Sequence, residues 1–293
     1  MNKVIIEVGS TCTKVDKIDD TKQIYHVKTQ TIRFKKNYQE KNKIVQKDIQ
    51  ELIELILEQK RTTSQIYLCG TSIFRTLPEN EKQDFIQRIK KETGVTFDII
   101  SMEKENKLTV LGATRFAKEK VGILVGGGGS TEITIYDQKT IEEANTPFGV
   151  MDILKAFPDL SKDFPTTKLE EVKSYIKERL NLPKSKSDVL ILCGGAHKYF
   201  ALHSGYRYQK NSFYEDSESP IMMDIKTRIE DTKRYFESVS LEKIKKQDKD
   251  PKWWDATRCM CALVLVVAEQ MEAKYIVPTD ISMVYGLMVD GNY

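Results

Sequence analysis

The chain has 293 residues and a formal net charge of +3, from 46 Lys and Arg against 43 Asp and Glu. That near balance excludes the whole-molecule basic field of an electrostatic nucleic-acid binder, and 40% hydrophobic with 9% aromatic residues exclude global disorder. A chain of this length usually divides its core, so two domains are expected.

The longest nearly unbroken apolar run, Cys259 to Ala268, is too short to span a bilayer. The first residues lack the apolar segment of a signal peptide. The five cysteines (Cys12, Cys69, Cys193, Cys259, Cys261) are scattered and odd in number, with no CxxC spacing. A reduced, cytoplasmic setting follows, with no membrane and no nucleic-acid partner. Cys193, His197 and His203 lack the fourth member of a zinc set, and a Cys193–His197 nucleophilic pair is opposed by the apolar run that Cys193 ends.

Val4–Val8 is apolar and β-branched and breaks at Gly9-Ser10-Thr11; a second strand runs from about Thr13 to Ile18. Alternation at Ile24–Val27 and Thr31–Phe34 completes a three-stranded meander. Asp48 caps a helix carrying Ile49, Leu52, Ile53, Ile56 and Leu57 on one face. Ile66–Cys69 is a buried strand, Glu81 to Thr93 a helix stopped by Gly94, Val95–Ile100 a strand and Glu103 to Lys118 a helix. The order is β-β-β-α-β-α-β-α.

The second half repeats it. Val121–Val125, Glu132–Asp137 and Thr140–Thr146 are strands; Lys168–Leu180 is a helix, Val189–Cys193 a strand, Thr257–Ala273 a long apolar helix, Tyr275–Val277 a strand and Ile281–Val289 a final helix. An insertion of polar loop and helix interrupts it at about 199–255, with a helix at Asp224–Glu237 whose inner residues are Ile225, Ile229 and Phe236. The expected domains are 1–118 and 119–293, with the terminal helix free to return to the first.

Within the repeat there is a sharper local echo. Ile5 to Thr11 and Ile123 to Thr131 each run from apolar strand through a small-residue turn into hydroxyl residues and an alternating strand. Gly-Ser-Thr turns also serve as plain hairpin connectors, but four consecutive glycines (Gly126–Gly129) exceed what a hairpin needs. They suit backbone that approaches a ligand closely and turns N–H groups toward an anion. The stretch matches neither GxxxxGK[ST] nor a clean GxGxxG.

At these residues the chain resembles the exopolyphosphatase/guanosine pentaphosphatase (Ppx/GppA) family. Glu7-Val8-Gly9-Ser10-Thr11-Cys12 stands where the family has Asp-Ile-Gly-Ser-Asn-Ser, and Gly70-Thr71-Ser72-Ile73-Phe74-Arg75 is similar to Ala-Thr-Ser-Ala-Leu-Arg. Ile100 to Leu108 resembles Ile-Ser-Gly-x-Glu-Glu-Ala-Arg-Leu, Val125 to Glu132 resembles Asp-Ile-Gly-Gly-Gly-Ser-Thr-Glu, and Leu192-Cys193-Gly194-Gly195 resembles a third glycine turn. Trp254-Asp255-Ala256 and Ser282 to Met288 resemble its closing segments.

The resemblance implies an α/β fold of two ribonuclease-H-like (actin-like ATPase) domains with an inter-domain cleft. The implied function is a magnesium-dependent phosphohydrolase that releases terminal phosphate from polyphosphate or from guanosine penta- or tetraphosphate. Carried over by residue, Glu105 is the general base, and Glu132 is the carboxylate that positions metal or water. Glu7 and Glu132 are the Mg²⁺ ligands, and Arg75 contacts phosphate. Gly9, Ser10, Thr11, Thr71, Ser72, Gly127, Gly128, Gly129, Ser130, Thr131, Gly194 and Gly195 form the cradle. By sequence alone Glu105 is a solvated residue on a charged helix, and Arg75 before Leu77-Pro78 a loop cation.

The departures define the alternative. The family's first-turn Asp is Glu7 here, its second-turn Asp is Val125 or Gly126, the carboxylate before the base is Lys104, and the first-turn Ser is Cys12. A catalytically impaired sensor of the same fold, binding phosphate or nucleotide, is the rival. A sugar- or acid-kinase-like ATPase is disfavoured because no adenine pocket is readable after Cys193-Gly194-Gly195-Ala196. The expected partner is a polyanionic phosphate or a nucleotide, and a homodimer stays open. Tyr199, Tyr206, Arg207, Tyr208 and Lys210 in the insertion could touch a polyanion or base, or simply cover a domain edge.

Overall fold

A computed structural model describes residues 3–10, 12–20, 24–115, 117, 119–193, 222–245, 255–279 and 281–291. The chain forms two compact units, Met1–Leu108 with Met283–Tyr293, and Thr109–Ser282.

In the first unit, β1 (Lys3–Val8), β2 (Thr13–Ile18), β3 (Ile24–Gln30), β4 (Ile66–Gly70) and β5 (Phe97–Ile99) form one sheet in the order β3-β2-β1-β4-β5. The meander strands pair antiparallel, whereas β1–β4 and β4–β5 are parallel. The parallel pairings are made possible by crossover helices α1 (Phe34–Lys41), α2 (Gln46–Lys60), α3 (Ile73–Thr76) and α4 (Glu79–Thr93). On α2 the apolar spacing buries Ile49, Leu52, Ile53 and Ile56. Gly94, at φ 73°, stops α4 in the left-handed conformation, and its N–H donates to Lys90 O. Phe34, Phe74, Phe85 and Phe97 close the core with ring centroids 4.9–6.1 Å apart.

Two expectations are corrected here. Thr31–Phe34 is not a strand. Burial of Ile32 and Phe34 imitates strand alternation, but the chain turns into α1, and Lys35 N donates to Ser10 O instead of joining a ladder. Asp48 is not the cap of α2, which begins at Gln46 after Val45. Its carboxylate is buried in the first turn, accepting from Asn37 Nδ2 at 2.9 and 3.0 Å.

Helix α5 (Met102–Thr114) crosses the division between the units. The second unit holds β6 (Val121–Gly126), β7 (Thr131–Tyr136), β8 (Thr140–Thr146), β9 (Val189–Cys193), β10 (Met223–Asp224) and β11 (Tyr275–Pro278), in the order β10-β11-β9-β6-β7-β8. Read from the meander edge, 8-7-6-9-11 repeats the 3-2-1-4-5 of the first sheet, so the doubled sequence pattern is a doubled topology.

Its helices are α6 (Val150–Ala156), α7 (Leu169–Lys177), α8 (Ile225–Glu237), α9 (Leu241–Lys245) and α10 (Thr257–Met271), while α11 (Met283–Asp290) belongs to the first unit. Asp224 caps α8 by accepting from Lys226 N at 2.7 Å. Phe236 faces inward as the spacing predicts, and so do Arg228, Asp231, Thr232 and Tyr235.

Apolar on nearly every side, α10 is the buried centre of this unit. One cation is sealed into it. Arg258, fully buried, donates Nε to Tyr235 O (2.7 Å), Nη1 to Leu160 O and Lys162 O (2.8 and 2.6 Å), and Nη2 to Asp163 O and Val239 O (2.7 and 2.8 Å). All five guanidinium N–H groups are matched, so the charge is tolerated and two separate segments, 160–163 and 235–239, are tied to α10. Lysine cannot reproduce this fork. Arg258→Lys is expected to destabilise the protein by about 3 kcal/mol or more, from buried carbonyls left without donors, and to lower its melting temperature by roughly 6–12 °C. A thermal melt unchanged within two degrees would refute the pinning role.

Candidate functional site

The first unit brings together most of what the sequence marks. β1 ends at the turn holding Gly9 and Ser10, where Gly9 N donates to Cys12 O at 2.9 Å. β4 ends at Thr71 and Ser72, where Thr71 N donates to Val8 O at 3.0 Å. The hydroxyls of Ser10 and Ser72 meet at 2.6 Å, joining the two turns into one rim. Ser72 is held at φ 51°, a conformation that a non-glycine residue adopts only at a cost. Arg75 on α3 reaches Glu105 on α5, Nη1 to Oε2 at 2.6 Å, and also donates to Ile100 O at 3.2 Å. Both side chains are largely buried, at 16% and 21% exposure.

Strand register sets the charges beside this rim. Glu7 pairs across the sheet with Lys14 and with Cys69, so the three share one face. Glu7 Oε2 is sealed from solvent and has no hydrogen-bond partner among the described residues. Burial pushes the Glu7 carboxyl above its ordinary range; Lys14 opposes this, and Glu105 and Asp16 reinforce it. Lys14 is raised in turn, chiefly by Glu7 against the opposing effect of burial. Burial first, then Glu7, Glu105 and Asp98, push the Cys69 thiol well up, so it is no nucleophile. Sequence reading missed Lys14 and Asp16, because neither falls in a glycine turn.

In the second unit the glycine turn follows β6. Gly127 N donates to Ser130 O at 2.9 Å, the same closure as Gly9 to Cys12. The carbonyls of Gly127 and Gly128 accept from Val150 N and Met151 N at 3.0 Å, at the start of α6. In a trans peptide the next N–H points opposite to the carbonyl, so the amides of Gly128 and Gly129 face away from α6. The Thr131 hydroxyl is used inside the protein, donating to Phe148 O at 2.7 Å. Glu132 is buried on β7, opposite Val125 on β6 and Asn145 on β8.

The two registers align the half-sites by residue. The row Asn145–Glu132–Val125–Cys193 in the second sheet corresponds to Thr29–Lys14–Glu7–Cys69 in the first. Val125 therefore stands where Glu7 stands, and Glu132 where Lys14 stands. Thr11, Gly194 and Gly195, with Tyr199, Tyr206, Arg207, Tyr208 and Lys210 of the insertion, lie outside the described residues.

A match to the Ppx/GppA phosphatase family model extends over residues 14–245; it begins after β1 and its turn and takes in the turns that follow β4 and β6. The chain belongs to the Ppx/GppA phosphatase family. Solved structures agree on the fold. An Aquifex aeolicus PPX-GPPA enzyme superposes with a TM-score of 0.77 at 18% identity, over 99% of each chain. An exopolyphosphatase from Cytophaga hutchinsonii superposes with a TM-score of 0.77 at 16% identity, over 99% of this chain and 98% of that one. No curated protein sequence matches. The fold of this family member is thus the two-domain actin-like ATPase fold. Among the described residues no helix is long and apolar enough to cross a membrane.

Glu7 is an oxygen donor whose Oε2 is sealed from solvent, a type suited to a hard cation, with Lys14 as its main charged neighbour and Glu105 and Asp16 beyond. No group of three potential metal-ligating side chains occurs among the described residues.

The raised Glu7 has a definite sign in stability. Between its ordinary value, 4.5, and its higher folded value the native state holds the extra proton, so its contribution falls as pH rises through that window. The melting temperature of Glu7→Gln relative to the parent is therefore expected to become more favourable as pH rises above 4.5. A difference independent of pH would show that Glu7 is not the strained carboxylate.

Proposed function

We propose that the chain hydrolyses the terminal phosphoanhydride bond of a multiply phosphorylated substrate, polyphosphate or a guanosine penta- or tetraphosphate. The observation that carries this is the Arg75–Glu105 pair at 2.6 Å beside the Ser10–Ser72 rim. It sets a phosphate-seeking guanidinium and a carboxylate base within one side chain's reach of each other. Phosphate oxygens compete with Glu105 for Arg75, and a carboxylate displaced from its cation becomes a better acceptor. Water attacks the terminal phosphorus, its proton passes to Glu105, and the bond from phosphorus to the bridging oxygen breaks, releasing phosphate. Arg75 and Lys14 bear the charge on the non-bridging oxygens, and the outward amides of Gly128 and Gly129 offer the second unit's own seat for an anion.

A chain of phosphates offers several anionic groups, which suits a protein with an anion-binding turn in each unit. Magnesium is proposed as the cofactor: Glu7 in the first unit or Glu132 in the second would give it a carboxylate oxygen beside the substrate's own phosphates, and it would neutralise charge and polarise phosphoryl oxygens.

One observation favours a second reading. The carboxylate row of the first unit has Val125 as its counterpart in the second, so one expected metal ligand is replaced by an apolar side chain. A sensor that binds the same phosphates without cleaving them fits that substitution.

Phosphate release from long-chain polyphosphate, pppGpp and ATP, with magnesium and with chelator, separates the two readings. Hydrolysis of either of the first two, lost on chelation, is expected; binding without release from any of the three would establish the sensor. Glu105→Gln is expected to cut turnover by ~10²–10⁴-fold with substrate affinity nearly unchanged, and a variant retaining half the parent rate removes Glu105 from the mechanism. Val125→Asp places a carboxylate directly opposite Glu132. It is expected to lower the magnesium concentration needed for half-maximal release and, in metal-free buffer, to lower the melting temperature. Unchanged magnesium dependence would mean that this position has no part in holding the ion.

A further inference from the structure

We propose that Gly149 is a positioning residue for phosphate binding, acting through the glycine turn against which it packs; this rests on the phosphate-binding reading above. Gly149 precedes α6 with φ −142° and ψ −171°, extended backbone that any residue adopts, so conformation does not demand glycine there. Space does. A Cβ at 149 would stand 2.5 Å from Gly127 O, 2.7 Å from Gly128 C and 2.7 Å from Gly129 N. All three are backbone atoms of the turn, which cannot swing aside as the end of a long side chain can.

Nor can the helix retreat. Val150 and Ile153 are anchored in the core of their unit, and Asp152 Oδ2 accepts from Gly149 N at 2.9 Å, fixing the first turn of α6. Three bonds then join this segment to the glycine turn: Val150 N to Gly127 O, Met151 N to Gly128 O, and the Thr131 hydroxyl to Phe148 O. A methyl group at 149 must therefore displace the turn, and with it the amides of Gly128 and Gly129.

The first unit shows what a looser seat looks like. Arg33 occupies the equivalent place before α1, and there, among the described residues, one backbone bond, Lys35 N to Ser10 O at 3.0 Å, backs the turn. Thr13, the counterpart of Thr131, has a buried hydroxyl with no partner among the described residues. Close seating belongs to the second turn, and the missing side chain of Gly149 permits it.

The test compares Gly149→Ala with Asp152→Asn, which loosens the same helix end without adding an atom against the turn. Tripolyphosphate affinity by calorimetry, kcat/KM for phosphate release and melting temperature are measured for both and for the parent, well below the melting point of each. Gly149→Ala is expected to weaken tripolyphosphate binding tenfold or more and to lower kcat/KM about 10²-fold, the usual cost of a displacement near 1 Å. Asp152→Asn is expected to stay within threefold on both despite a lower melting temperature. If Gly149→Ala does not fold, Val150→Pro carries the same expectation, because proline is accepted at the first helical position yet removes the N–H held by Gly127 O. Parent-like binding by Gly149→Ala, or losses in both variants that simply follow melting temperature, would overturn the positioning role alone. A parent that neither binds tripolyphosphate nor releases phosphate would overturn the functional reading, and the positioning role with it.

Discussion

A turn that is to hold a phosphate must show its N–H groups, and its carbonyls must then find donors behind it. Both units of this protein meet that constraint in the same way. The helix after the third strand offers its first backbone amides to the turn between the first two strands, α1 to Ser10 O and α6 to Gly127 O and Gly128 O. The first amides of a helix have no partner within the helix, so two sets of unsatisfied groups satisfy each other and the turn is aimed outward. The three-stranded meander brings the helix to that place, and the parallel strands beyond it supply the remaining site residues at their carboxyl ends.

The two copies have diverged in charge while keeping this geometry. At corresponding positions the first carries Glu7 and Lys14, opposite charges facing each other across two strands. The second carries Val125 and Glu132, one buried carboxylate beside an apolar neighbour. The first turn is therefore flanked by charged side chains, whereas the second presents backbone amides beside a single carboxylate. The neighbouring strands hold the charges at fixed register. Ser72 keeps an unfavourable φ in the first unit's rim, and backbone strain persists only where the surrounding fold over-determines it.

Rigidity in the second unit comes from an unexpected quarter. Its central helix is almost wholly apolar, yet its position is set by a buried cation, Arg258, whose five donors find five carbonyls on segments far apart in sequence. Apolar packing alone tolerates sliding, whereas a planar fork with every N–H matched admits one arrangement.

The sequence by itself determined the element order, the doubling and the turns. Strand and helix periods are local properties of apolar spacing, and Gly-Ser-Thr and the glycine run mark turns wherever they occur. It also named Arg75 and Glu105, through motif resemblance, but not that they pair, since thirty residues separate them and only the packing of α3 against α5 brings them to 2.6 Å. Tertiary structure alone decided the rest. Phe34 alternates like a strand residue but starts a helix, because Ser10 O claims the amide of Lys35. Lys14 sits in an ordinary alternating strand, and only its register sets it opposite Glu7. Gly149 lies in no recognisable turn, and its role exists only because another stretch of backbone comes within contact of it. Register across strands and close approach between distant segments are long-range facts, and no local pattern encodes them.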